Sequence, residues 1–176
     1  ESAKYLKLAN NKKIKIYPSE SNLLFNKSRE LLILSNKKID NILNITSTTQ
    51  HIFIVGMPRC GSTLLESIIS LNDDVRDLGE AALLENSFNE MNELKAENKE
   101  FNLANLYYNK IKLLKGNSKI TTDKCLPNYQ YTGIISNYIP KAKIIHCYRN
   151  PLDNILSIYR ANFSVTTKIF RYSSDL

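Results

Sequence analysis

The residues best suited to chemistry lie in one short segment, Gly56-Met-Pro-Arg-Cys-Gly-Ser-Thr63. It follows a short apolar, β-rich run and precedes a helical pattern, so we expect a strand, a tight turn and a helix in succession. Backbone N–H groups at the start of such a helix bind anions, and Gly61 lets the chain curl close to the ligand. Arg59 adds a cation, and Ser62 and Thr63 add hydroxyls. The segment therefore predicts a phosphate-binding loop.

The spacing of this loop differs at one position from that of the nucleotide triphosphatases. It matches G-x-x-x-x-G-K-[ST] except that Ser62 occupies the position of the lysine. Because that lysine contacts the terminal phosphates, its replacement weakens the interpretation as an ATPase or nucleotide kinase. On the loop alone, that interpretation and a plain strand–turn–helix corner both stay open.

Residues 53–70, FIVGMPRCGSTLLESIIS, resemble the 5′-phosphosulfate-binding loop of sulfotransferases that use 3′-phosphoadenosine-5′-phosphosulfate (PAPS). The stretch is most similar to the bacterial tetratricopeptide-linked branch, related to tyrosylprotein sulfotransferases, whose loop typically reads PRSGTT. Cys60 and Ser62 stand here where that loop has Ser and its first Thr. The resemblance implies that the donor is bound by Arg59, Cys60, Gly61, Ser62 and Thr63.

Two further blocks follow in the order typical of the family. Thr122-Asp-Lys-Cys-Leu-Pro-Asn128 resembles its DK-x-P segment, and residues 140–159 resemble the strand–helix block that binds the 3′-phosphate. In that block the resemblance assigns the 3′-phosphate to Arg149, with its guanidinium fork, and to the hydroxyl of Ser157. Ser157 falls about 140° from Leu152 on a helical wheel, so we expect it to lie off the apolar face and outside the core.

Sulfonyl transfer requires deprotonation of a hydroxyl acceptor and neutralisation of charge on the leaving oxygen. The resemblance places Glu80 as the general base and Lys124 as the residue that stabilises the bridging oxygen, with Arg59 sharing in neutralisation. The alternatives are a helix-terminal carboxylate for Glu80 and a surface cation for Lys124. His51 is a weaker candidate base, and we expect His146 to be a structural histidine within an apolar strand.

Strand and helix patterns alternate along the chain, which predicts an α/β fold with a P-loop-type parallel sheet flanked by helices. The last helix carries an apolar stripe, and the stripe predicts that this face is buried. Strands are expected at 51–55, 119–123 and 142–148. Helices are expected at 22–34, 37–45, from Ser62, at 80–95, 101–114 and 127–138, and after Asn150. The stripe consists of Leu152, Ile155, Leu156, Tyr159 and Phe163.

The sequence predicts two regions of different character. Residues 1–50 form a Lys- and Asn-rich helical segment that ends in a linker at 46–50, and residues 51–176 form the sulfotransferase-like P-loop domain. Because the family's domain normally continues further, we expect this domain to be C-terminally incomplete. An upstream repeat domain outside this chain is a further expectation from the resemblance.

Composition limits the partners of the protein. The 176 residues include 24 Lys and Arg against 17 Asp and Glu, a net charge of +7 without any basic run of five or more, which does not favour nucleic acid. No apolar run approaches the ~20 residues of a membrane span, and no signal peptide is visible. Cys60, Cys125 and Cys147 lack metal-ligand spacing, so we expect free thiols in a reducing, cytoplasmic compartment. Cys125 and Cys147 are expected to be small buried hydrophobes.

The resulting hypothesis is a PAPS-dependent sulfotransferase that needs no metal and acts on a hydroxyl of a protein tyrosine, a glycan or a small molecule. Two other classes stay open. One is a nucleotide kinase or ATPase that uses the same loop. The other is a catalytically silent nucleotide-binding or scaffold module.

Overall fold

The computed structural model describes residues 1–18, 20–36, 49–97, 102–161 and 163. The helix expected at 37–45 lies outside these residues, as does most of the linker expected at 46–50. The described residues form two compact units. One unit is Leu31–Tyr148, and the other consists of Glu1–Glu30 together with the residues from Arg149 onward.

Within the described residues, four parallel strands form one sheet in the order β2-β3-β1-β4. This confirms the predicted α/β fold. The β-branched run at the centre of β1 is buried on both faces of the sheet, as parallel strands usually are. The short strand β2 was not predicted, because the stretch around it is acidic and resembles a turn. The strands are β1 Gln50–Gly56, β2 Val75–Asp77, β3 Ile120–Asp123 and β4 Lys143–Cys147.

Most predicted helices are confirmed within a few residues. The pattern at 127–138 is a 3₁₀ helix, Leu126–Tyr131, followed by an α-helix. The first α-helix buries no residue and was not predicted as a separate helix within the helical segment 1–50. The helices are α1 Ser2–Ile16, α2 Ser21–Ser35, α3 Ser62–Ile69, α4 Leu83–Ala96, α5 Leu103–Lys115, α6 Thr132–Tyr138 and α7 Pro151–Arg160.

A buried carboxyl group connects the end of β3 to the core of its unit. Asp123 accepts hydrogen bonds from the Tyr107 hydroxyl at 3.1 Å, the Cys125 backbone N–H at 3.1 Å and the Asn128 side-chain amide at 3.0 Å. Tyr107 itself is fully buried on α5 and packs against Phe53 of β1, with ring centroids 5.5 Å apart. These contacts hold the residue that follows β3, Lys124, in a defined place.

Helix α7 belongs to the other unit and begins as the sequence predicts. The Asn150 side chain accepts hydrogen bonds from the backbone N–H groups of Leu152 and Asp153, and Pro151 follows the cap. Near the end of the helix, Asn10 of α1 donates to the Tyr159 carbonyl at 3.2 Å.

The predicted burial of the apolar stripe on α7 is wrong for Leu152, Ile155 and Leu156, whereas Tyr159 and Phe163 are half-buried. Leu152 is 78% exposed, Ile155 42% and Leu156 53%, while Ile158 is buried and Ser157 is half-buried. An amphipathic period shows that a helix has an apolar face, but it does not show which packing partner covers that face.

Strand β4 differs from expectation for a related reason. It lies at the edge of the described sheet, and Ile144 and His146 are exposed, so the prediction of a structural histidine at position 146 is wrong. Cys147 is half-buried rather than buried, whereas Cys125 is buried as predicted.

Two buried titratable groups give the fold a testable pH dependence. Burial, aided by the charge of Lys115, lowers the pKa of His51 from 6.5 to about 4. Burial raises the pKa of Asp123 from 3.8 to about 6 against its hydrogen bonds. On acidification the folded state therefore loses stability at His51, from pH 6.5 toward 4, and gains stability at Asp123, from pH 6 toward 3.8.

Asp123→Asn should remove the gain and leave the loss. We expect its free energy of unfolding to fall more steeply than that of the wild type between pH 6.5 and 4, by up to about 3 kcal/mol. Urea unfolding at several pH values measures this, with the exposed Asp73→Asn as the control. Parallel curves for wild type and Asp123→Asn would contradict the assignment.

Candidate active site

The turn between β1 and α3 has the shape of an anion-binding loop. Gly61 is the N-cap of α3 with φ 98°, and no side chain caps this helix. Arg59 also has a positive φ, 68°. An uncapped first turn leaves backbone N–H donors oriented toward a ligand, and the helix dipole favours a negative charge there.

Gly56 permits the close approach of this loop to β4. It is the sheet partner of Cys147, and a Cβ atom at position 56 would lie 2.6 Å from the Cys147 carbonyl oxygen and 3.1 Å from Cys60 Sγ. Its φ of 153° is also a conformation that residues with a Cβ rarely adopt. Glycine is thus required where β1 ends and the loop begins.

The loop residues named from the sequence lie together on this turn, with different exposure. Ser62 is buried, Cys60 is half-buried, and Arg59 and Thr63 are exposed. A ligand at the turn would therefore meet an exposed guanidinium and an uncapped helix end.

Main-chain pairing continues beyond β2 and β3 and brings two further candidates together. The Leu78 N–H donates to the Thr122 carbonyl at 2.8 Å, and the Lys124 N–H donates to the Gly79 carbonyl at 2.9 Å. Lys124 Nζ consequently lies 2.5 Å from Glu80 Oε1. Glu80 precedes α4 in a turn rather than lying on the helix, and the Lys124 side chain is 6% exposed rather than on the surface.

Glu66 is a site residue that sequence reasoning missed. It is buried one turn into α3, where Oε1 accepts from Thr122 Oγ1 at 2.9 Å and Oε2 lies 4.0 Å from Lys124 Nζ. Burial raises the pKa of Glu66, while the Thr122 hydroxyl and the Lys124 charge act in the opposite direction. Its spacing from Ser62 was a signal available in the sequence, since positions four apart share a helix face. In the structure both residues are buried, whereas Leu64 is exposed.

These groups meet at one edge because the strands are parallel. The carboxyl ends of β1, β2 and β3 lie at the same side of the sheet, where ligands of open α/β sheets bind. Arg149, which is exposed, and Ser157 belong to the other unit.

The alternative base His51 is placed elsewhere. It lies within β1, 1% exposed, where its Nδ1 hydrogen-bonds Thr121 Oγ1 at 2.8 Å and its ring stacks on Tyr108. A group so enclosed has no route to an acceptor hydroxyl.

Comparison with known proteins identifies the family. The profile of the sulfotransferase family matches residues 51–176, which include the loop, Glu80, Lys124, Arg149 and Ser157. The chain belongs to the sulfotransferase family.

A second comparison finds a relative of undescribed function. The chain is 30% identical over 142 residues to an uncharacterized protein of Aquifex aeolicus (strain VF5), which covers 71% of this chain and 19% of that protein. No solved structure matches.

The described residues also bear on metal and membrane binding. Among them, no group of three or more His, Cys, Asp and Glu side chains is arranged to hold a metal ion. Of the helices they form, none is long and apolar enough to cross a membrane. The donor set at the sheet edge, with backbone N–H groups, an arginine and a lysine, suits an anionic sulfonate donor.

Proposed function

We propose that this domain transfers a sulfonyl group from PAPS to a hydroxyl acceptor. The observation that carries the proposal is the loop Gly56–Thr63, which leads into the uncapped helix α3 and lies at the same sheet edge as the ion pair between buried Lys124 and exposed Glu80. Both lie within the region that matches the family. The tetratricopeptide-linked or tyrosylprotein branch is proposed on the loop resemblance, which makes a protein tyrosine the first acceptor to test, before a glycan or a small molecule.

In the proposed donor site, different residues bind the two phosphate ends of PAPS. The backbone of the uncapped α3 terminus, with Arg59, Cys60, Gly61, Ser62 and Thr63, binds the 5′-phosphosulfate. Arg149 and Ser157 bind the 3′-phosphate, which ATP lacks. When bound, PAPS supplies the sulfonyl group, and 3′-phosphoadenosine-5′-phosphate (PAP) is the product.

The chemical step uses three side chains in different roles. The Glu80 side chain is 64% exposed, so its carboxylate can contact an acceptor and take the hydroxyl proton. The ammonium of Lys124 stabilises the negative charge on the leaving oxygen, and Arg59 neutralises charge at the loop. These cations supply the positive charge without a metal ion.

The structure disfavours a kinase in one specific respect. A phosphoryl-transfer enzyme would use a carboxylate near the end of β3 to hold Mg²⁺. Asp123 occupies that place, but its oxygens accept hydrogen bonds from Tyr107, Cys125 and Asn128 within the core.

The free cysteines fit the proposed cytoplasmic location, because thiols stay reduced there.

Donor specificity can be tested by calorimetry with PAP, ADP and ATP, each with and without EDTA. We expect PAP to bind most tightly, because PAP alone offers a 3′-phosphate to Arg149 and Ser157. We expect EDTA to have no effect, because Arg59 and Lys124 supply the positive charge without a metal ion. Arg149→Ala should remove the preference at a cost of about 2–4 kcal/mol. Arg76→Ala, at an exposed position on β2, is the matched control. Equal binding of ADP and PAP, or strict dependence on Mg²⁺, would favour the kinase instead.

The role of Glu80 can be tested by Glu80→Gln, which keeps the shape and removes the basicity. We expect nearly unchanged PAP affinity and a rate of sulfonyl transfer from ³⁵S-labelled PAPS to a tyrosine peptide that is lower by about 10²–10⁴. Glu93→Gln, at an exposed position on α4, is the control. If Glu80→Gln turns over at the wild-type rate, Glu80 is not the base.

A further inference from the structure

The buried ammonium of Lys124 has two carboxylates near it among the described residues. Glu80 is in direct contact at 2.5 Å, and its side chain is 64% exposed. Glu66 lies at 4.0 Å, and its side chain is 8% exposed. One partner therefore faces the solvent, while the other is enclosed by the protein.

The proposed function gives Glu80 two duties that conflict. As a base it becomes a neutral acid during each turnover, and at that moment it no longer balances the charge of Lys124. An ammonium that is buried without a negative partner is strongly disfavoured. A second negative group keeps Lys124 charged after Glu80 has taken the proton and before the leaving oxygen carries enough negative charge to pair with the ammonium.

Glu66 has the placement for that task. Its Oε1 accepts the Thr122 hydroxyl, and a backbone hydrogen bond from Gly79 also reaches its carboxylate, so its position does not depend on Lys124. The other charged groups that act on it are Asp77 and Asp123.

We propose that Glu66 is a positioning residue that keeps the Lys124 ammonium charged and directed at the site while Glu80 exchanges its proton. The inference rests on the proposed sulfonyl transfer for its catalytic consequence, and on the contacts of Glu66 for its placement.

Glu66→Gln is the decisive variant. We expect PAP affinity and the KM for PAPS to change by less than about threefold, and kcat with a tyrosine peptide to fall about 10- to 100-fold. The alkaline limb of the kcat profile should move to lower pH, because an ammonium without its counter-charge loses its proton more readily. Glu66→Asp, which keeps the charge, should leave the alkaline limb close to its wild-type position. Glu93→Gln is again the control.

A purely structural role would lower the free energy of unfolding of Glu66→Gln and leave the alkaline limb in place, which would overturn the proposal. A second readout needs no turnover. The ¹⁵N signal of the Lys124 ammonium, assigned with Lys124→Arg, should disappear as pH rises, and in Glu66→Gln it should disappear at a lower pH than in the wild type. If the wild type neither prefers PAP nor transfers sulfonate while this signal shifts as expected, the proposed function fails and the placement of Glu66 stands. An unchanged signal with an active wild type overturns the inference alone.

An independent observation concerns two thiols that are far apart in sequence. Cys60 on the loop and Cys147 at the end of β4 are in hydrogen-bonding contact through their side chains. Cys60 Sγ also packs beside Gly56, the sheet partner of Cys147. Both residues are half-buried, whereas Cys125 is buried.

We infer that Cys60 and Cys147 are a site of reversible disulfide formation that controls the loop. With hydrogen peroxide as oxidant, one thiolate attacks a peroxide oxygen and becomes a sulfenic acid as hydroxide leaves and takes up a proton to form water. The second thiol then forms the S–S bond and releases another water. The loop would be tethered to β4 by the bond, and a dithiol reductant would restore both thiols.

The test treats the whole chain with hydrogen peroxide and maps its peptides by mass spectrometry without reduction. We expect a peptide pair joined through Cys60 and Cys147, PAP affinity lowered at least about tenfold, and recovery with dithiothreitol. Cys147→Ser should lose the cross-link, and Cys125→Ser should keep it. Oxidation of Cys60 to a sulfinic acid without the cross-link, or PAP affinity unchanged by the cross-link, would overturn the inference.

Discussion

A lysine ammonium that is almost completely buried needs a negative partner, and the candidate active site is organised around this requirement. Lys124 obtains one carboxylate from the turn after β2 and a second from α3. Glu80 reaches Lys124 because main-chain pairing continues past the ends of β2 and β3. Glu66 is held beside it on α3 by the hydrogen bond from the Thr122 hydroxyl. The main-chain pairing also directs Lys124 toward the edge where β1 enters its loop.

The buried Asp123 fixes the position of the main chain next to Lys124. Its hydrogen bonds connect β3 to α5 and to the 3₁₀ helix, so the residue after it has little freedom. The carboxyl group is held in the core, where burial raises its pKa. In this respect it differs from the carboxyl group of Glu80, which is exposed. Neighbouring carboxyl groups in one small region thus serve different purposes, because their exposure differs.

Much of the fold was predictable from local patterns, because apolar runs and helix caps act over a few residues. β1, β3, β4 and the cap at Asn150 are examples. The loop was predictable because glycine spacing reflects a local backbone requirement. The missed features depend on partners distant in sequence: β2 exists because β3 pairs with it, and Glu66 matters because Thr122 and Lys124 lie against it. The stripe on α7 shows the converse, since its pattern was identified correctly and its packing was not.

The contact at Gly56 limits how this loop can change over evolutionary time. A clash with a side chain can be relieved by a second substitution that makes the neighbour smaller. The obstacle at position 56 is the main-chain carbonyl of Cys147, which every residue type carries. No compensating substitution is therefore available, and sequences that keep this loop against this strand must keep glycine there. Positions 60 and 62 are free of that restriction, which is consistent with the variation in their side chains relative to the PRSGTT pattern.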